Sequence, residues 1–264
     1  MTETLLPPKA DLFGVGISVV DYASATDAIL EAAHARRSLA VSALATHGLM
    51  LADGDRSFRA VVNQIDVVTP DGQPVRWALN RLHRTGLRDR VYGPDLVGHV
   101  CQAAAREGVS VYLFGSTADT CDRFTAELRR RFPGLVVAGV QPDRFREATA
   151  AEDDADVRRI NDSGAGIVLV GRGCPRQERW VAVHRGRVHA AMLAVGAAFD
   201  YYAGNLPRPP SWMQDRGLEW AFRLAQEPRR LAGRYARYNT RFLVRYGREV
   251  ASHRRKASVS RCPL

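Results

Sequence analysis

The sequence has 264 residues, of which 46% are apolar, so it can bury enough surface for one sizeable α/β domain with an appendage, which excludes a largely disordered chain. No stretch reaches the roughly 18 to 20 apolar residues of a membrane-spanning helix, and residues 1–12 lack a signal-peptide pattern, which predicts a cytoplasmic protein. The net charge of +10 comes entirely from the C-terminal part of the chain. Residues 208–264 hold 14 Lys and Arg against 4 Asp and Glu, whereas residues 1–207 hold 24 basic and 24 acidic residues. This excess predicts an anionic partner, which is nucleic acid, a phospholipid surface or the pyrophosphate of a substrate.

Apolar, strand-like segments alternate with helical segments along most of the chain. The predicted strands cover residues 12–20, 39–45, 65–69, 109–114, 135–140, 166–170 and 190–197. The predicted helices lie near residues 23–36, 48–63, 73–84, 94–107, 118–131, 150–162 and 176–185. This alternation is typical of βαβ units, and it predicts an α/β fold with a parallel sheet that helices cover on both faces.

The proline-rich residues 205–210 predict a boundary, after which the pattern becomes helical. We divide the chain into a core at 1–204, a basic helical appendage at 205–250 that binds membrane or substrate, and a disordered tail at 251–264. From residue 229 onward, arginines recur every three or four residues, and a second stripe of mainly aromatic residues follows each arginine by one. Three interpretations remain open: the aromatic stripe packs on the core, the helix lies on an anionic bilayer, or it binds nucleic acid.

Asp71 is the first candidate for chemistry, because it directly follows a predicted parallel strand. The carboxyl ends of strands form the ligand sites of open α/β sheets. A carboxylate at this place can act as a general base toward an attacking hydroxyl group. The sequence Pro70-Asp71-Gly72 is also common in ordinary turns, so a purely structural role remains an alternative.

A second candidate is the glycine turn that follows the strand at 166–170. Gly171 and Gly173 allow close approach of the backbone, and Pro175 is suited to the first turn of a helix. The amide groups at the start of that helix predict a site for a phosphate or diphosphate. Gln177 and Glu178 belong to this site, although Gln177 also fits a surface position and Glu178 a favourable charge in the first helical turn.

Two further strand ends carry small and polar residues. Gly115 and Ser116, followed by Thr117, lie between a predicted strand and a helix, where they can bind phosphate or cap the helix. Thr46 and His47 end the second predicted strand, where His47 can hydrogen-bond a substrate or simply terminate the strand.

Several signatures of other protein classes are absent from the sequence. It contains no Walker A motif, no G-x-G-x-x-G at the first helix, no H-E-x-x-H and no G-x-S-x-G. No D-x-D triplet follows a predicted strand, where it could hold a metal on a nucleotide sugar, which predicts metal-independent chemistry; Asp53-Gly54-Asp55 and Asp154-Ala155-Asp156 lie within predicted helices. The four cysteines are widely spaced and predict free thiols rather than disulfides or a structural zinc site.

A series of motifs in a fixed order then gives the sequence a family resemblance. In chain order they are residues 66–72, 90–93, Asp95, 113–115, 132–134, 168–171, Gly173, Pro175, Gln177, Glu178, Gly196, Phe199, Asp200, Ala203, Gly204, 208–212, 217–220, Arg223, Leu224, 227–229, Arg234 and Tyr235. Together the chain resembles the WecG/TagA/CpsF proteins, glycosyltransferase family 26, over about residues 12–245. The ordered series is specific, whereas each single motif is weak.

The resemblance implies a Rossmann-like core with a C-terminal helical appendage. It implies an inverting enzyme at the inner face of the cell membrane that moves a sugar such as N-acetylmannosamine or a uronic acid from a UDP-sugar to a polyprenyl-diphosphate-linked saccharide. Such transfer serves teichoic acid or cell-surface polysaccharide synthesis, and homo-oligomers occur in the family. We expect no metal or other cofactor.

The resemblance also implies roles for single residues. Asp71 matches the proposed catalytic base, and Arg90 and Gln177 match residues that line the substrate pocket. The resemblance further implies that appendage arginines approach the diphosphate, since guanidinium groups bind phosphate oxygens bidentately; these are Arg208, Arg216, Arg223 and Arg229. His47 departs from the family, because an asparagine is usual at that position.

Two rival classes follow from the same sequence. The first is a non-enzymatic, basic nucleic-acid-binding protein on a Rossmann-like core, although no recognition motif for nucleic acid accompanies the arginines. The second is a nucleotide-cofactor oxidoreductase, which the missing glycine fingerprint disfavours. We therefore predict a glycosyltransferase with no nucleic-acid partner.

Overall fold

A computed structural model describes residues 6–210, 212–213 and 216–259. Its strands are β1 (Lys9–Leu12), β2 (Val15–Ser18), β3 (Leu39–Leu44), β4 (Val67–Pro70), β5 (Val111–Gly115), β6 (Val137–Gln141), β7 (Ile167–Gly171) and β8 (Ala191–Ala194). Its helices are α1 (Tyr22–His34), α2 (Thr46–Gly54), α3 (Arg56–Asn63), α4 (Gln73–His83), α5 (Gly93–Glu107), α6 (Ala118–Arg131), α7 (Ala150–Asp162), α8 (Arg176–Val183), α9 (Ala198–Tyr202), α10 (Glu219–Gln226) and α11 (Pro228–Val259).

Six strands form one parallel sheet in the order β4-β3-β8-β7-β5-β6. The inner strands are almost continuously apolar and fully buried, as expected where helices cover both faces of a parallel sheet. One buried cluster joins β-strand side chains to α1, α5, α6 and α9, and a second joins them to α2, α3, α4, α7, α8 and α11. The predicted Rossmann-like α/β core with a C-terminal helical appendage is confirmed.

The first predicted strand, 12–20, is wrong, because this segment forms an antiparallel hairpin outside the main sheet. Strands β1 and β2 pair with each other around Phe13 and Gly14, whose φ angles of 60° and 83° suit a two-residue hairpin turn. The amide of Val68 donates to the Ser18 hydroxyl at 3.0 Å, so the hairpin covers the otherwise open edge of β4.

The single helix predicted at 48–63 is also wrong, because two helices occupy this segment. Asp55 ends α2 and caps α3, since its carboxylate accepts hydrogen bonds from the amides of Ser57 at 2.8 Å and Phe58 at 3.2 Å. A cap of this kind satisfies amides that have no partner at the start of a helix. The preceding Gly54 has a low helix propensity, and the two residues together mark the break.

The mainly aromatic stripe of α11 packs on the core. Leu231 is fully buried, Phe242 is nearly so, and the Phe242 ring meets Phe13 edge-on with centroids 5.8 Å apart. On the arginine side, Arg241 and Arg245 form ion pairs with Asp53 of α2 at 3.3 and 3.4 Å. The first of the three interpretations therefore describes the contacts of this helix.

The C-terminal boundaries of the appendage remain predictions. Helix α11 continues to Val259, past the end predicted at residue 250, and residues 260–264 lie outside the described residues. In the described part of the chain, no helix has the length and apolar character required to cross a bilayer.

Candidate active site

A cavity of about 920 Å³ lies between the carboxyl ends of the parallel strands and the two C-terminal helices. Loops after β3, β4, β5, β7 and β8 form one side of its wall, and α10 and α11 form the other. The predicted site residues found in this wall are Thr46, His47, Asp71, Arg90, Ser116, Gly171, Gly173, Gln177, Glu178 and Arg223. Asp71 and the Gln177 turn, which are far apart in sequence, thus face one common space.

Asp71 is the first residue after β4, and its carboxyl forms part of the cavity wall. The Gly93 amide donates to Asp71 Oδ2 at 3.2 Å, and the hydrogen bond from the Val91 amide to Pro70 O keeps that loop beside the strand. Burial raises the pKa of Asp71 to about 7, although nearby Arg90 acts in the opposite direction. A carboxyl with such a pKa can exchange a proton near neutral pH.

Arg90 is held by a partner that the sequence analysis did not identify. Its guanidinium forms two hydrogen bonds with the carboxylate of Glu219, at the first residue of α10, and both side chains are largely buried. The guanidinium also lies over the Tyr92 ring, 4.5 Å from its centroid. Arg90 therefore connects the core to the appendage at the cavity wall, next to Asp71.

The Gln177 side chain is buried and does not occupy the surface position that was one interpretation of the sequence. Only 4% of Gln177 and 1% of Glu178 are exposed. Gln177 Oε1 accepts a hydrogen bond from the Gly173 amide at 3.1 Å, and its Nε2 donates to Glu178 Oε1 at 2.9 Å. Gly196 has a positive φ of 45°, and a Cβ atom there would lie 2.9 Å from Gln177 Oε1, so a larger residue would strain the backbone and displace the Gln177 amide.

Two backbone amides at the glycine turn already donate hydrogen bonds to other groups of the protein. The amide of Gly173 has the Gln177 acceptor, and the amide of Ser116 donates to the Gly171 carbonyl at 2.9 Å. Gly115 is outside the cavity wall, and a Cβ atom there would lie 2.6 Å from the Gly171 backbone, so Gly115 allows β5 and β7 to approach each other. These two amides are thus already used within the protein rather than free for phosphate.

Ser116 and its neighbour divide the two roles that the sequence left open. Thr117 caps α6, because its hydroxyl accepts a hydrogen bond from the Thr120 amide at 3.2 Å. Ser116 lies in the cavity wall with a left-handed φ of 55°.

His47 lies in the cavity wall, in the first turn of α2 next to Thr46. Its ring meets the Tyr238 ring of α11 edge-on, with centroids 4.7 Å apart. Burial and the charge of Arg234 lower the pKa of His47 to about 4, so the imidazole is neutral at neutral pH. A neutral imidazole can both donate and accept hydrogen bonds toward a ligand.

Two appendage arginines bring positive charge to the cavity wall. These are Arg223, which was predicted, and Arg234, which belongs to the arginine stripe but was not selected as a site residue. The Nε atoms of both are buried without a hydrogen-bond partner in the part of the chain that the structure describes. Buried donors without acceptors are costly, so an anionic ligand in this cavity would complete their hydrogen bonding.

The other predicted arginines lie elsewhere among the described residues. Arg208 pairs with Asp95 at 2.9 Å, Arg216 lies over the Trp212 ring at 5.8 Å, and Arg229 is exposed near the start of α11. The described wall of the cavity includes none of the three. Their predicted contact with a diphosphate therefore has no support from the cavity geometry and stays a prediction.

The described residues contain no group of three or more His, Cys, Asp or Glu side chains that could hold a metal ion. The cavity brings together two carboxyls of raised pKa, Asp71 and Glu178, with a neutral imidazole and a fixed amide. Three arginines also line its described wall, of which Arg90 is paired with Glu219. This set can bind a negatively charged substrate and remove a proton from a hydroxyl group.

Comparison with known protein families places the chain in a glycosyl transferase family. Residues 10–256 match the model of the glycosyl transferase WecG/TagA/CpsF family, which is almost the full length of the chain. The match includes the strand ends that form the cavity and both C-terminal helices. The chain therefore belongs to the WecG/TagA/CpsF family of glycosyl transferases, which act in polysaccharide or teichoic acid synthesis.

Proposed function

We propose that this protein transfers a sugar from a UDP-sugar to a polyprenyl-diphosphate-linked saccharide, with inversion at the anomeric carbon. The sugar is N-acetylmannosamine, a uronic acid or a similar residue. The observation that carries the proposal is the position of Asp71 in one cavity with Arg223 and Arg234. A base and two cations are what transfer from a diphosphate donor requires.

In the proposed step, the Asp71 carboxylate takes the proton of the acceptor hydroxyl. The hydroxyl oxygen then bonds to the anomeric carbon from the face opposite the diphosphate, and the bond from that carbon to the UDP oxygen breaks with its electron pair. UDP leaves, and the configuration is inverted. The pKa of about 7 keeps much of Asp71 ionised at neutral pH while leaving it basic enough to accept the proton.

The negative charge that develops on UDP needs stabilisation. Arg223 and Arg234 supply it in the proposal, since guanidinium groups stay charged and bind phosphate oxygens bidentately. The contribution of the Gly173 and Ser116 amides is smaller than their sequence suggested, because both already have protein acceptors. The proposed transfer requires no metal ion.

The test is transfer from a panel of UDP-sugars to a short-chain prenyl-diphosphate saccharide. We expect Asp71→Asn to lower kcat by about a hundredfold or more, which is the usual loss for a general base. Asp55→Asn is the matched control, because Asn caps a helix as well as Asp does and Asp55 is outside the described cavity wall. Near-normal turnover of Asp71→Asn would remove Asp71 from this role.

The same assay tests the proposed metal independence. Excess EDTA should leave the rate unchanged, and a loss that manganese restores would contradict this part of the proposal. The amount of UDP released is compared with the amount of glycosylated acceptor formed, because hydrolysis of the donor releases UDP without forming that product.

The proposal extends to the location of the enzyme, at the inner face of the cell membrane. Its support is the tryptophan patch, by which we mean Trp77, Trp212 and Trp220, each between 43% and 51% exposed. Trp77 and Trp220 also belong to the cavity wall, so a bound membrane would lie near the cavity. Assembly into homo-oligomers stays a prediction.

The nucleic-acid-binding alternative has less support. Its basis was the arginine stripe, but Arg241 and Arg245 pair with Asp53 and Arg234 lines the cavity. The family to which the chain belongs consists of glycosyl transferases.

A further inference from the structure

Glu178 is a buried carboxyl in the cavity wall whose two oxygens have different surroundings. Oε1 accepts hydrogen bonds from Gln177 Nε2 at 2.9 Å and from the Ser42 hydroxyl at 3.4 Å. Oε2 is buried as well, yet no described residue donates a hydrogen bond to it. The proposed sugar transfer assigns no role to this side chain.

The surroundings of Glu178 favour its neutral form. Among the described residues, no basic side chain forms an ion pair with it, and a buried carboxylate without a cation is strongly disfavoured. Burial accordingly raises the pKa of Glu178, although the hydrogen bonds that Gln177 and Ser42 donate to it act against the shift. Since Oε1 accepts two hydrogen bonds, the proton of the neutral acid belongs on Oε2.

Glu178 also selects one of the two orientations of the Gln177 amide. In the observed orientation, Nε2 faces the Glu178 acceptor and Oε1 faces the Gly173 donor. A reversed amide would place two acceptors together at Glu178 and two donors together at Gly173, which is unfavourable at both ends. The Gln177 amide is thereby held in one position within the cavity wall.

We propose that Glu178 is a positioning residue of this active site, which remains a neutral carboxylic acid and holds the Gln177 amide in its working orientation. The inference rests on the proposed function, because it requires that Gln177 contacts the substrate. A neutral Glu178 also does not repel the substrate, whereas an ionised Glu178 would place a negative charge in a cavity that receives a diphosphate. The role is thus orientation of Gln177 without added charge.

Substitutions that keep or remove the acceptor of Gln177 Nε2 test the inference. Glu178→Gln keeps a carbonyl oxygen for Gln177 Nε2 and stays neutral, so this conservative variant should keep most of the kcat that Glu178→Met loses. Glu178→Met removes the acceptor at similar volume and should lower kcat about tenfold, as loss of a coupled contact does. Ser42→Ala is the matched control, because it removes only the longer hydrogen bond to Oε1 and leaves the Gln177 contact in place.

A double-mutant cycle separates positioning from a general loss of packing. If Glu178 acts through Gln177, Glu178→Met should lower kcat in the parent protein but not in a Gln177→Ala background. A loss of the same size in both backgrounds would overturn the inference, and so would an inactive Glu178→Gln. Should Glu178→Met fail to fold, Glu178→Gln and the measurement below decide the matter.

Infrared spectroscopy tests neutrality without any assay of transfer. In an Asp71→Asn background, which removes the other carboxyl of raised pKa in the cavity, a carbonyl band of a protonated carboxyl should be present at neutral pH. This band should disappear in Asp71→Asn with Glu178→Gln. Absence of the band in the Asp71→Asn protein would overturn the inference. If the band is present but the parent protein transfers no sugar from any UDP-sugar, the proposed function alone is contradicted.

Discussion

The carboxyl of Asp71 is buried where a charge is unfavourable, and this has opposite effects on the proposed chemistry and on the fold. For the chemistry, the base must be ionised before it can take a proton, and burial raises its pKa to about 7. We therefore expect kcat/KM to fall as the pH decreases below about 7, by about tenfold per pH unit once most of Asp71 is protonated.

The measurement is a pH profile with one UDP-sugar, with protein stability checked at every pH. Glu219→Gln provides an electrostatic control, because the Glu219 charge raises the pKa of Asp71 and its removal should move the acidic limb to lower pH. An acidic limb that stays unchanged in Asp71→Asn would show that another group titrates.

For the fold, the same burial makes the ionised Asp71 destabilising. The pKa of Asp71 is about 7 in the folded protein and 3.8 as the ordinary value. The free energy of unfolding is therefore not reduced by Asp71 below about pH 4, and it falls as the pH rises through 7 and the buried carboxyl ionises. Asp71→Asn removes this loss and should raise Tm by several degrees at about pH 8 and very little at about pH 4. Calorimetry at both pH values measures it, with Asp55→Asn as the control; a lower Tm at high pH would contradict the expected sign.

Residue patterns located much of the candidate site because strand ends meet at one edge of a parallel sheet. Asp71, Ser116 and Gly173 follow strands and lie in the wall for that reason. Glu219 and Arg234 were not selected, since their place depends on how α10 and α11 pack on the core. No local pattern fixes such packing over more than a hundred residues.

At the scale of elements, the parallel sheet was predictable and its first strand was not. An apolar run around 12–20 fits a strand, but its period cannot reveal that Phe13 and Gly14 turn the chain back. Gly14 was the available signal, since a two-residue hairpin turn favours glycine where φ is positive. Asp55 was the corresponding signal for the break between α2 and α3.

The C-terminal helices show the same limit, because a stripe pattern does not say which partner covers it. The mainly aromatic stripe of α11 packs on the core, so a truncation before α11 would expose the core residues that Phe242 and Tyr238 cover. A loss of membrane binding by the truncated protein could then be caused by unfolding. Substitutions in the tryptophan patch are therefore the cleaner test.

We expect the tryptophan patch to contribute to binding of anionic membranes. Replacing Trp212 and Trp220 by Ala in the full chain should reduce flotation with vesicles that contain anionic lipid, since tryptophan favours the interface between water and lipid. Phe145→Ala is the matched control, because Phe145 is an exposed aromatic residue outside the patch. Unchanged flotation of the double variant would exclude Trp212 and Trp220 as membrane contacts.

At the scale of the whole molecule, core and appendage enclose one cavity, so a ligand in it should stabilise both. UDP should slow amide hydrogen exchange in the strand-end loops and in α10 and α11, because a ligand that binds only the folded arrangement suppresses its local opening.

Arg234→Gln should weaken UDP binding about tenfold, since it removes a charged hydrogen-bond donor. Arg248→Gln is the control, because Arg248 is exposed on the same helix outside the described wall. Protection limited to the core loops, with equal UDP affinity in both variants, would show that α11 is not part of the nucleotide site.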